Sequence, residues 1–107
     1  MDPRILGTKY DAIAEYWHEA HDQSDYGVTQ CQRALDYRST GGCAPDVGCG
    51  AGGRFVRRMI ASDYAVLGMD VSQEMIRLAS HKHPDQTFMH EDICHWQSDQ
   101  RFDFILA

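Results

Sequence analysis

Residues 44 to 54 read APDVGCGAGGR, an acid at 46 followed by glycines at 48, 50, 52 and 53. The run lies between a short apolar stretch, CAPDV at 43–47, and GRFVRRMIAS at 53–62, whose Phe55, Val56, Met59 and Ile60 recur at helical spacing. Glycine at this density lets a chain turn sharply. It also lets backbone amides approach a ligand at the positive end of the helix that follows. Strand, glycine turn and helix in that order open a parallel βαβ unit. An ordinary glycine-rich turn would read the same in isolation, so the rest of the chain has to decide between a site and a bend.

The remaining pattern continues the alternation. YAVLGMD (64–70) is an apolar strand that stops at Asp70, and Ser72 can cap the helix QEMIRLASHKH by accepting from a first-turn amide. Pro84 helps end that helix. TFMHED (87–92) reads as a third strand and RFDFILA (101–107) as a fourth. Two helices precede the glycine run: KYDAIAEYWHEA, with Tyr10, Ile13, Ala14 and Trp17 as its inward stripe, and DYGVTQCQRALDYR, with Val28, Cys31, Ala34 and Leu35. STGGCAP then breaks the helix. Strand–helix alternation with near-continuous apolar strands predicts an α/β fold with a doubly wound parallel sheet. At 107 residues the chain forms one domain, 1–107.

Two cofactor readings fit the loop. Gly48, Gly50 and Gly53 satisfy G-x-G-x-x-G, the dinucleotide fingerprint, whereas Asp46, Gly48, Gly50 and Gly52 satisfy acid-x-G-x-G-x-G. Asp70 does not separate them, because an acid ending the second strand binds ribose hydroxyls in either case. The second pattern, with GCG at its centre, resembles motif I of the class I S-adenosylmethionine-dependent methyltransferases. DVGCGAG, GMDVSQEM, EDI and FDFILA follow one another in that family's order and at about its spacing, and YDAIAEYW is similar to the helix that closes over the cofactor. The resemblance covers roughly residues 10–107. It implies a Rossmann-like sheet of order 3-2-1-4, cut after about four strands, with residues 1–40 as a helical lid.

The same resemblance implies a set of cofactor contacts. Gly48, Cys49, Gly50 and Gly52 would line the methionine part of S-adenosylmethionine, with Asp46 near its ammonium. Asp70 would accept from both ribose hydroxyls, and Val71 and Met75 would pack on the adenine. Asp92 would accept from the adenine amino group and Ile93 would cover the ring. Tyr10, with Tyr16 or Trp17, would form the lid. Plainer roles stand beside these: Asp70 as a helix cap, Asp92 as a solvated strand-end acid, Met75, Ile93, Tyr10 and Trp17 as core. Cys49 is a small turn residue and no nucleophile. Methyl transfer from a sulfonium needs chiefly alignment and desolvation, so no catalytic residue is assigned; His18 or His21, beside the lid, is where a base would stand.

Composition narrows the classes further. Sixteen acids against ten bases give a net charge of −6, which argues against nucleic acid and weakly favours a small-molecule acceptor. Cysteines 31, 43, 49 and 94 show neither disulfide nor zinc spacing, and histidines 18, 21, 81, 83, 90 and 95 offer no convincing ligand set, so no metal is expected. With no apolar leader and no membrane-length segment, the expected place is the cytoplasm.

The family's sheet normally has seven strands and about twice this length. Three readings follow: the cofactor-binding half of a methyltransferase, nearly inactive by itself; a non-catalytic half-domain dimerising through the open edge of 101–107; or a nicotinamide-dinucleotide-binding fragment. Pro45 departs from the family's usual aliphatic residue. It deletes one ladder donor from a strand expected to be paired on both sides, which predicts a local defect and not a broken fold.

Overall fold

The structure is a computed structural model that describes residues 2–37, 41–102 and 104–107. Helix α1 runs Pro3–Asp22, six residues earlier than its apolar stripe suggests. The start is set by Asp2, whose carboxylate accepts from Arg4 N at 2.9 Å, and by Pro3 in the first turn, where a missing N–H costs nothing. The remaining elements are α2 (Val28–Tyr37), β1 (Gly42–Val47), α3 (Arg54–Ala61), β2 (Tyr64–Asp70), α4 (Gln73–Lys82) and β3 (Thr87–His90). The expected second helix ends at Arg38, which lies outside the described residues, as do Ser39 and Thr40 of the expected break.

The three strands form one parallel sheet in the order β1-β2-β3. On one face Cys31 and Leu35 of α2 and Val56 and Met59 of α3 pack against Ala44, Tyr64 and Val66 of the sheet. On the other, Ala14 of α1 and Met75 of α4 meet Ala51 of the glycine loop. Helices on both faces make the fold doubly wound, as the alternation predicts.

The docked stripe of α1 is rotated from the expected one. Gly7 and Ala14 are buried and Asp11 is bonded to α4, whereas Ile13 faces solvent. A helix this close to another presents small residues: a Cβ on Gly7 would stand 1.9 Å from the Val71 carbonyl oxygen.

Two strand expectations change. The third strand stops at His90, because Asp92 starts a turn in which its carbonyl accepts from His95 N and Trp96 N. Among the described residues of 101–107 only Leu106 pairs with the sheet, short of the full fourth strand expected. Leu106 makes a single parallel bridge to Asp46, with Leu106 N donating to Pro45 O (2.9 Å) and Val47 N to Leu106 O (2.8 Å). Within a strand a residue's N–H and C=O point to the same side. Since the Pro45 carbonyl faces Leu106, the position of its missing N–H faces the carbonyl of Phe104, where the next rung would form. Pro45 therefore deletes the bond that would lengthen the bridge into a ladder, while β1 pairs with β2 along its whole length. The defect is local, as expected. No described helix is long and apolar enough to cross a membrane.

Candidate functional site

The glycine loop begins where β1 ends and is held down on β2. Gly48 N and Cys49 N both donate to Met69 O, at 2.8 and 3.0 Å. One residue further along, Asp70 reaches back: its Oδ2 accepts from Gly50 N and its Oδ1 from Ser72 N, both at 2.9 Å. A carboxylate has about four acceptor positions, so two remain for hydroxyl donors after the loop and the helix start are fixed. Asp70 thus does the capping work and keeps capacity for a ligand.

From the other side α1 is tied over the same point. Asp11 Oδ1 accepts from the Ser72 hydroxyl (2.6 Å) and from Glu74 N (3.0 Å), and Ser72 Oγ accepts from Met75 N (3.2 Å). The Ser72 and Glu74 bonds hold the Asp11 carboxyl below the usual carboxylate range. Asp11 acts as an outside cap for α4, placing α1 as a roof.

Beneath that roof lies a cavity of about 280 Å³ lined by Leu6, Tyr10, Trp17, Gly48, Gly50, Asp70, Val71 and Met75. Six of the candidate residues, Tyr10, Gly48, Gly50, Asp70, Val71 and Met75, come together here. A second cavity of about 180 Å³ shares Trp17, Gly48 and Gly50 and adds His18, His21, Cys49 and Gly53. Ile93 joins Gly48, Asp70 and Val71 at a third, about 140 Å³. Asp92 lines a fourth, about 250 Å³, with Arg4, Val71, His90 and His95. Val71 is common to three of the four. Asp92 is engaged locally, accepting from Cys94 N at 2.9 Å with His95 Nε2 at 3.7 Å.

Asp46, Gly52 and Tyr16 line none of these cavities. Asp46 is 4% exposed, on the same face of β1 as Ala44. Burial, and then the charge of Asp70, push its carboxyl up to about 7, with no side-chain hydrogen bond from the described residues to offset them. Burial and the Asp46 and Asp70 carboxylates also push the Cys49 thiol up, the direction that disfavours a thiolate. Gly52 serves the loop's shape: with φ at +73° it lies against α4, where a Cβ would stand 3.0 Å from His83 and 3.3 Å from Ala79.

Around the second cavity, His21 Nδ1 is 2.8 Å from the Trp17 carbonyl and its ring stacks on the indole at 3.9 Å. His18 Nε2 accepts from Lys82 Nζ at 3.1 Å, and partial burial and Lys82 hold His18 below the ordinary imidazole range. Asp22, bonded to Arg57 and Lys82, closes the end of α1 against α3 and α4 and is held low chiefly by Arg57. No group of three or more His, Cys, Asp or Glu residues able to hold a metal ion occurs among the described residues.

Sequence reasoning passed over Leu6, Gly7 and Asp11, and weighed His83 only as a metal ligand. Gly7 carried a signal, since a glycine inside a helical pattern usually has a packing reason. Asp11 carried none.

Residues 45–107 match the methyltransferase domain family. Among solved structures, magnesium protoporphyrin IX methyltransferase of Synechocystis with bound S-adenosylmethionine superposes with a TM-score of 0.71 at 21% identity, over 98% of this chain and 61% of that one. A TehB-like S-adenosylmethionine-dependent methyltransferase of Corynebacterium glutamicum gives 0.69 at 26% identity, over 92% and 53%. CalS10 of Micromonospora echinaspora, an amino pentose methyltransferase with bound S-adenosylmethionine, gives 0.68 at 22%, over 87% and 40%. The chain spans 40–61% of the length of these three structures.

Proposed function

Since the chain belongs to the methyltransferase domain family, we propose that it binds S-adenosylmethionine under α1 and is the cofactor-binding half of a methyltransferase. The observation that carries this is the roofed cavity of about 280 Å³, where Asp70, with spare acceptor capacity, stands beside the glycine loop and the apolar Val71 and Met75. Asp70 would take the ribose hydroxyls. Val71, Met75 and Ile93 would cover the adenine, with Asp92 accepting from its amino group once its turn opens toward the ring. Gly48, Cys49 and Gly50 would follow the methionine part, with Gly52 setting the loop's shape. Asp46 would pair with the ammonium, whose charge favours the ionised carboxyl that burial disfavours. Tyr10 and Trp17 would close the cavity from α1, while α2, packed against α3 on the other face of the sheet, lines none of it.

When bound, the cofactor supplies a methyl group already activated on a sulfonium. This chain's own residues hold it, orient it and exclude water. The acceptor would be a small molecule. The net charge of −6 supports this, as do neighbours whose acceptors are a porphyrin and an amino pentose. Its pocket would belong to the part of such enzymes this chain does not span.

The test is calorimetric titration with S-adenosylhomocysteine, with thermal shift against NAD alongside. Weak binding of S-adenosylhomocysteine is expected, and stabilisation by NAD alone would refute the proposal. A second reading, a homodimer paired along residues 101–107, draws support from the short bridge at Leu106 and the exposed Ile105. Light scattering at high concentration tests it, and a clean monomer rejects it.

A further inference from the structure

His83, which none of the proposed cofactor contacts uses, holds the glycine loop from the side of α4. It follows the last turn of α4, half-buried, with Nε2 2.7 Å from the Gly52 carbonyl oxygen. A carbonyl oxygen only accepts, so Nε2 carries the proton. The same ring, with Ala79, fills the space where residue 52 would carry a Cβ, so the loop reaches this bond only because residue 52 is glycine.

The direction of that bond has a consequence one residue on. A trans peptide unit is planar, and its N–H points opposite to its C=O. No peptide among the described residues is cis. With the Gly52 carbonyl fixed toward α4, the Gly53 N–H points away from α4. Gly53 lines the 180 Å³ cavity that shares Gly48 and Gly50 with the larger one. Its amide has no acceptor among the described residues, and Gly53 is the N-cap of α3 with no side-chain cap. A flipped peptide would present a carbonyl there and oppose the positive end of α3.

We propose that His83 is a positioning residue for the glycine loop: its Nε2–H fixes the Gly52–Gly53 peptide so that the Gly53 amide is offered to the cavity beside the cofactor cavity. The role rests on the cofactor reading given above. It differs from packing alone, because it depends on one donated bond and not on the ring's bulk.

Three proteins test it: the wild-type chain, His83→Phe and His83→Gln, each titrated with S-adenosylhomocysteine and unfolded by heat. Phenylalanine keeps the ring beside Phe88, 6.3 Å away between centroids, but has no donor; glutamine keeps a donor without the ring. His83→Phe is expected to bind about tenfold more weakly, the loss of one hydrogen bond, with a midpoint close to wild type, and His83→Gln to recover most of the affinity. Equal binding by wild type and His83→Phe overturns the proposal, and so does a His83→Gln protein that binds no better than His83→Phe. The wild-type imidazole gives a readout independent of any variant: two-bond proton–nitrogen correlations at alkaline pH should show the Nε2–H tautomer, and a dominant Nδ1–H tautomer overturns the proposal even if His83→Phe does not fold. Wild type that binds no S-adenosylhomocysteine refutes the cofactor reading instead, with the tautomer still reporting on the His83–Gly52 bond.

Discussion

Asp46 should make the free protein less stable as pH rises, and Asp46→Asn should remove that dependence. The carboxyl is buried beside Asp70, with no hydrogen bond from the described residues, and holds its proton to about pH 7 against 3.8 for an ordinary aspartate. A raised native pKa on an acid means the unfolded chain releases its proton first. Between pH 3.8 and about 7 the native state therefore binds more protons, and stability falls as pH rises through that window. At 1.36 kcal/mol for each pH unit, the full displacement is worth about 4 kcal/mol above neutrality, and about 2 kcal/mol at pH 5.5. That is a large part of the roughly 5–15 kcal/mol that holds a domain together. Asparagine has nearly the same shape and cannot ionise. Urea unfolding of both proteins, followed by circular dichroism at pH 4.5, 5.5, 6.5 and 8, should show a gap of only about 1 kcal/mol at the lowest pH. The variant should lead by as much as about 4 kcal/mol at the highest. Asp11 and Asp22 act in the opposite sense: their lowered pKa values stabilise above the unfolded value and that contribution is lost as pH falls. They are common to both proteins and cancel in the difference. A gap that stays flat across pH, or an Asp46→Asn protein less stable at pH 8, would refute the reasoning. If Asp46 also pairs with the cofactor's ammonium, the stabilised variant should bind S-adenosylhomocysteine more weakly.

Gly7→Ala in a helix interior would ordinarily gain about 1 kcal/mol. Here the added Cβ meets the Val71 carbonyl oxygen, so a loss of about 1–3 kcal/mol in urea unfolding is expected, with weaker S-adenosylhomocysteine binding as the roof lifts. Asp70→Ala removes the acceptor of Gly50 N and Ser72 N together with the proposed ribose contact, and titration should detect no binding. Pro45→Val restores an N–H facing the Phe104 carbonyl, so the Leu106 bridge should extend and stability rise by about 0.5–1.5 kcal/mol. Amide exchange at residue 45 no slower than in an unpaired strand would count against that register.

What was legible in the sequence is local, and what was not depends on contacts between distant residues. The glycine loop, the acid ending β2 and the Ser72 cap read directly because Gly48, Asp70 and Ser72 act within a few residues of where their elements start or stop. Asp11 reaches Ser72 across 61 residues of chain, and His83 reaches Gly52 across 31. Neither pairing has a period or a spacing that announces it, since each is set by how two helices settle on the sheet. Pro45 lies between these cases. Its type foretells a missing donor, but which neighbour loses a bond depends on which side of β1 position 45 faces. The accepted bond from Leu106 settles that side: the gap faces residues 104–106, and the pairing of β1 with β2 is untouched. That pairing brings Met69 and Asp70 up to the glycine loop, so a proline in the strand that delivers the loop leaves the loop's own support intact.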